Sequence, residues 1–443
     1  MWLTNPLYGI IAVAVALSVA VGFAASVRYL GLVSGEVARK MVHVQLGLVV
    51  ACFPWLFVDR WPVWCLAMVA VFALAAVRWI PRLRRGLGSS LHDIERLSWG
   101  EFCFPIAAAV AWSLAPGDWI RFSLPMLVLA VSDAVAALVG TWYGRMQYSA
   151  AGGRKSWEGS LGFAAATFIV VHVPLLLFTP IGRADSLLIA CNMAILLMLV
   201  EALAWEGFDN LFIPIAGVLL IDECIGLPLS ELIEGTVVIV MLAFGSWWWR
   251  RRTTLDDAGV LACAVLGFVI WSAGGWLWLV APTTVFICYA LFFPPIDKTR
   301  NHQSIIPISI VLSGLVWLLA DTRAHGEPRW VLAAAGAYAI HLGVIGLMNE
   351  AHRRPQVSWY WLVPCIWSLM VICIVLPTAI MLNGTPFLEL WRLLLTISCG
   401  VLFGLILFLL ITPDRRALPI DHRRWFLQCL LAIAGSSAVL IFP

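Results

Sequence analysis

The chain has 443 residues, 62% of them apolar or aromatic and only 12% charged, with a mean hydropathy of +0.95. That composition excludes a water-soluble globular domain, and a formal net charge of +3 with no long basic block excludes nucleic acid as a partner. The 11 cysteines are scattered without a CxxC or a Cys/His spacing suited to zinc, so they read as small buried apolar residues.

Apolar runs of about 17–25 residues recur from end to end, each long enough to cross a hydrocarbon core of about 30 Å as a helix. In the first half they predict spans over 8–30, 41–57, 61–79, 102–115, 122–140, 159–179, 186–205, 211–226 and 229–247. In the second half they predict 257–272, 275–293, 304–320, 330–348, 358–382, 391–412 and 425–442. The expected fold is an all-α polytopic integral membrane protein with about 14–16 transmembrane helices, in which the short runs 102–115, 211–226 and 257–272 also fit re-entrant or tilted segments.

The opening MWLTNPLYG has no positive n-region and no small-residue cleavage site, so the first span reads as a retained helix with its N-terminus outside. Arg28, Arg39 and Lys40, the arginines between Arg78 and Arg96, Arg145, Arg154 and Lys155, and Arg250 to Arg252 then fall inside. The outer loops of this half keep only Arg60, Arg121 and Arg183, as the positive-inside rule requires. The stretches ARKMVH, GGRKSWEGS and EGFDN therefore share the cytoplasmic face of what is expected to be a bacterial inner membrane, where soluble nucleotide and divalent metal are available.

Three elements carry chemistry. Within LAVSDAVAALVGTWYGR, Asp133 falls near the middle of a span, and an ionisable residue at that depth marks a functional site unless it only joins two helices. In GGRKSWEGSLGF, the glycines Gly152 and Gly153 allow backbone to approach a ligand, Lys155 offers a compact charge for phosphate, and Glu158 can organise that lysine or a metal. The stretch lacks the spacing of a Walker A loop. In VEALAWEGFDNLFIPI, Glu201 sits at the membrane edge, and Asp209 and Asn210 precede the next span, a position that also suits a plain helix cap. Convergence of Asp133, Glu201 and Asp209 would make a hard oxygen site for Mg²⁺, with Lys155 balancing phosphate charge, which is a parts list for phosphoryl transfer.

Four ordered blocks, ARKMVHVQLG (38–47), SDAVAALVGTWYGR (132–145), GRKSWEGSLGF (153–163) and EALAWEGFDNLFIPI (201–215), resemble those of the CTP-dependent lipid-alcohol kinases, a group that includes phytol kinase, dolichol kinase and the yeast-type CTP-dependent diacylglycerol kinase. The resemblance covers about residues 35–225. It implies a polytopic helical kinase that uses CTP or UTP with Mg²⁺ to phosphorylate an isoprenoid or related lipid alcohol. Carried over block by block, Arg39, Lys40 and His43 form the early basic block and Asp133 the acidic residue. Lys155, Ser156, Glu158, Gly159 and Ser160, behind Gly152 and Gly153, form the phosphate loop. Glu201, Asp209 and Asn210 close the set as metal-side residues with Asp133, while His43 is the group that orients or deprotonates the alcohol. Ser132 stands where the family usually has glycine.

After WWWRRRTTLDD (247–257) these blocks do not recur, so the expected domains are a kinase-like membrane domain over 1–250 and an accessory multi-helix domain over 251–443. His341 there reads as a satisfied packing residue. Two other classes also use buried carboxylates: a transporter or lipid flippase, for which no inverted repeat is visible, and a cytidylyltransferase forming a CDP-lipid, whose longer acidic signature is missing.

Overall fold

The computed structural model describes residues 5–31, 35–80, 99–150, 153–253, 255–292, 305–324, 326–353, 358–382, 384–412 and 422–440. Of the described helices, 11 are long and apolar enough to cross a membrane. The chain is an all-α polytopic integral membrane protein, as its apolar runs require. Every predicted run has a helical counterpart among the described residues, and some of these helices are short. Lys40–Ala51 and Gly100–Leu114 are short apolar helices, Asp209–Cys224 has 16 residues and His422–Ser436 has 15. The runs 257–272 and 275–293 are two helices that meet end to end within Asp257–Phe292, broken at Gly275, whose φ of 74° and ψ of −169° are not helical.

By contacts the chain divides into two compact units, Met1–Ile239 and Val240–Pro443. The first contains α1 (Pro6–Tyr29), α2 (Gly35–Ala51), α3 (Trp61–Trp79), α4 (Gly100–Leu114) and α5 (Trp119–Tyr143). A hairpin of β1 (Gln147–Ala150) and β2 (Gly153–Ser156) leads into α6 (Trp157–Phe178), followed by α7 (Arg183–Leu203), α8 (Asp209–Cys224) and the start of α9 (Leu229–Trp249). The core between these helices is closed by Trp112, Phe122, Phe163 and Met193, all fully buried. The Trp112 indole donates to the carbonyl of Asp59 at 2.9 Å, which gives the one polar atom of that side chain a partner inside the apolar core.

Two features of this unit position the site. Helix α5 starts on Asp118, whose side chain accepts from the N–H groups of Ile120 and Arg121, and it contains a π turn over Val128–Ser132 directly before Asp133. Such a turn inserts a residue into the helix and rotates everything after it, and single π turns cluster at functional sites. Helix α2 closes on this turn at Gly47, where any β-carbon would land on that of Ala130. The second feature is the hairpin, paired antiparallel from Gln147 opposite Ser156 to Ala150 opposite Gly153. It corrects the expectation of a loop at GGRKSWEGS: Gly153 to Ser156 form a strand, and Trp157 already begins a helix.

The second unit contains the end of α9 and α10 (Asp257–Phe292), α11 (Ile305–Ala324), α12 (Pro328–Arg353), α13 (Trp359–Ile380), α14 (Phe387–Ile411) and α15 (His422–Ser436). Small residues let α12, α14 and α15 approach closely: a β-carbon on Gly400 would meet the Gly435 carbonyl, and one on Gly404 would meet Ile340. His341 is fully buried here, with the Gln428 side chain of α15 beside its ring. The cysteines depart from expectation. Cys103, Cys224, Cys288 and Cys429 are buried, whereas Cys52, Cys65, Cys365 and Cys399 are exposed.

Candidate active site

Lys40 and His43 lie one turn apart near the start of α2, and both face Asp133 of α5. The Lys40 ammonium donates to Asp133 Oδ2 at 2.5 Å, with both side chains nearly nine-tenths buried. His43 Nε2 lies 3.6 Å from the same oxygen and 3.3 Å from the Leu129 carbonyl in the π turn, and its ring packs edge-on against Phe104. The insertion in α5 thus presents both a carboxylate and a main-chain acceptor to one face of α2.

Ser132, the departure from the family pattern, points the other way. It is fully buried and accepts a hydrogen bond from Thr167 of α6 at 3.0 Å. Its hydroxyl pins the π turn to the neighbouring helix and lies away from the Lys40 side of the turn.

The hairpin supplies the second cation. Lys155 on β2 donates to Glu201 Oε1 at 2.6 Å and to the Glu201 carbonyl at 2.5 Å, in the last turn of α7. Glu158 is therefore not the partner of Lys155. Its carboxylate accepts from the Met146 N–H at 3.2 Å, closing the base of the hairpin. The other residues expected in a phosphate loop are engaged in building the same junction. Ser156 caps α6 by accepting from the Gly159 N–H at 3.1 Å, and Ser160 shares a hydrogen bond of 2.8 Å with the buried Tyr148 hydroxyl. A β-carbon on Gly159 would stand 3.0 Å from the Ala136 carbonyl, so this glycine lets α6 cross α5 closely. Gly153, at φ 130°, has open space where a β-carbon would go and serves the turn. Gly152 and the Arg39 side chain lie outside the described residues.

The turn EGFDN carries the third carboxylate. Glu206 and Gly207 both take positive φ, at 48° and 90°, a conformation uncommon for a residue with a β-carbon. The turn is held because the Glu206 carbonyl accepts from the Trp99 N–H at 2.8 Å and Asn210 Nδ2 donates to the Gly100 carbonyl at 3.1 Å. Asn210 is thus a strut between α8 and α4. Asp209 accepts from the Asn210 N–H at 3.0 Å and makes no ion pair among the described residues. It lies within electrostatic range of Asp133, Glu201, Lys155 and Lys40.

The three carboxylates and two lysines come from five elements and meet at one end of the first unit. Among the described residues no three His, Cys, Asp or Glu side chains are close enough to form a ready-made metal cage. Sequence reasoning missed Thr167, Gly47 and Tyr148 because each acts through a contact with a distant segment and carries no local signature.

If Ser160 is structural, Ser160→Ala should lower thermal stability by about 1 kcal/mol, the net value of one hydrogen bond, and leave catalytic turnover intact. A melting curve in detergent checks this. An unchanged melting temperature with lost activity would return Ser160 to the nucleotide.

Neither a family model nor a solved structure matches the chain. It is 34% identical over 197 residues to the phytol kinase of the cyanobacterium Synechocystis sp., a match that covers 43% of this chain and 80% of that protein.

Proposed function

The chain belongs to the phytol kinase family of membrane lipid kinases, and we propose that it transfers the γ-phosphoryl group of a nucleoside triphosphate, CTP in preference, to the hydroxyl of an isoprenoid alcohol such as phytol, geranylgeraniol or a polyprenol. The observation that supports this most is the meeting of Lys40, His43, Asp133, Lys155, Glu201 and Asp209 at one end of a lipid-embedded bundle. Phosphoryl transfer asks for this kind of site, since catalysis is chiefly positioning and electrostatic stabilisation of charge on the transferred group.

A divalent ion fits the donors present. They are hard oxygens, and Mg²⁺ characteristically takes one or two carboxylates together with substrate phosphates. Asp133 and Asp209 would hold it, and when bound it would neutralise charge on the β- and γ-phosphates. Lys40 then takes a phosphate oxygen, turning from Asp133, and Lys155 takes another with the N–H that Glu201 leaves open. The alcohol oxygen attacks the γ-phosphorus, the bond to the β–γ bridging oxygen breaks, and the nucleoside diphosphate leaves. His43, one turn deeper in α2 than Lys40, receives the hydroxyl proton or orients the hydroxyl through its ring nitrogen. We assign this chemistry to the cytoplasmic face of a bacterial inner membrane, and an accessory role to residues 251–443.

Purified protein in detergent with Mg²⁺ should move label from the γ-position of CTP, UTP or ATP onto one member of a panel of isoprenoid alcohols and diacylglycerol. Thin-layer chromatography and product mass check it. Transfer of a nucleotide rather than a phosphate would make the protein a cytidylyltransferase, and no labelled lipid with any donor would end the kinase reading.

A further inference from the structure

We infer that Glu201 is the positioning residue of Lys155 and holds no metal ion, an inference that builds on the kinase reading above. A lysine ammonium has three N–H donors. Two are engaged by one residue, through Glu201 Oε1 at 2.6 Å and the Glu201 carbonyl at 2.5 Å. The carbonyl lies in the final turn of α7, where its one main-chain donor is the Ala204 N–H of the cap at 3.3 Å and the helix dipole favours a cation. With two contacts fixed, the third N–H has one direction left, and it serves a phosphate oxygen. The flexible four-carbon stem is thereby ordered before nucleotide arrives, which is what orientation contributes to catalysis.

The other half of the inference rests on the second carboxylate oxygen. Glu201 is 7% exposed, and its Oε2 is buried without a hydrogen-bond partner. One oxygen is on the lysine and the other is closed in by protein, so neither faces an aqueous ion. Asp209 differs: it is only partly buried and makes no ion pair among the described residues. The two acidic residues of the late block thus divide their work, Asp209 toward the metal and Glu201 toward the lysine.

Two measurements on the full chain in detergent test this. First, acylation of Lys155 by an amine-reactive ester, followed by peptide mass spectrometry, should be slow in the wild type. It should be faster by about tenfold in Glu201→Ala, the loss of a charge-assisted hydrogen bond, and intermediate in Glu201→Gln, which keeps both acceptors. Equal rates in all three overturn the inference. Second, Glu201→Gln should raise the KM for the nucleotide while leaving the half-saturating Mg²⁺ concentration unchanged. A raised Mg²⁺ requirement with an unchanged nucleotide KM overturns it and gives Glu201 to the metal. Labelling requires no turnover, so if the wild type phosphorylates no alcohol, the kinase reading falls while the hold of Glu201 on Lys155 is still decided.

Discussion

Asp133→Asn is expected to abolish lipid phosphorylation, with a loss in turnover of at least about 10²–10³-fold, the scale seen when one preorganised electrostatic group is removed from a site. The substitution preserves shape and removes charge, so it acts on both proposed duties of the carboxylate, holding a divalent ion and balancing Lys40. It also has a structural cost. Lys40 and Asp133 are 12% and 13% exposed, and removing one partner of a buried pair costs about 3–5 kcal/mol because the other charge is stranded. A loss of activity by itself therefore does not separate chemistry from unfolding. The double variant Lys40→Met, Asp133→Leu separates the two effects, since replacing a buried pair by apolar groups is commonly neutral or stabilising. It should recover the melting temperature of the wild type and remain inactive. A double variant that regains turnover would show that the pair only holds α2 against α5.

Much of this site was legible as chemistry before it was legible as geometry. Asp133 and Glu201 stand out because ionisable groups are costly within or at the edge of apolar spans, Lys155 and Asp209 because they lie in polar stretches between such spans, and the structure gathers all of them. The pairing was not legible. Lys40 and Asp133 lie 93 residues apart, and nothing local in either segment names the other. The GRKSWEGS stretch shows the opposite failure. A glycine, a serine and a lysine close together suit a phosphate loop, yet the same residue types suit a strand, a helix cap and a close helix crossing. Which use is made of them was decided by Ala136, Tyr148 and Met146, outside the stretch. The π turn was hidden for a related reason: VLAVS contains ordinary helix residues, and the inserted register is maintained by Gly47, Thr167 and His43 from neighbouring helices. The two runs either side of Gly275 were legible as separate spans, and the structure breaks the helix there.

Lys155→Met should reduce turnover by about 10²–10³-fold, again the scale of one lost electrostatic contact to the reacting group, and raise the KM for the nucleotide. Methionine keeps the apolar stem and removes the ammonium, so β2 keeps its pairing with β1 while Glu201 loses both of its contacts. Lys155→Arg is the sharper variant. Arginine keeps the charge but replaces a compact ammonium by a planar fork that directs its donors in fixed directions. In this site the cation has to reach a side-chain oxygen and a carbonyl oxygen of one residue and still aim a third donor at phosphate. A fork in one plane matches the Glu201 carboxylate and leaves its carbonyl unmet, so the charge returns in the wrong place. Lys155→Arg should therefore bind nucleotide better than Lys155→Met and turn over hardly faster. Steady-state KM and kcat for the donor measure the two separately. Full recovery of kcat in the arginine variant would mean that net positive charge suffices, and that the two-point hold by Glu201 contributes nothing to the chemical step.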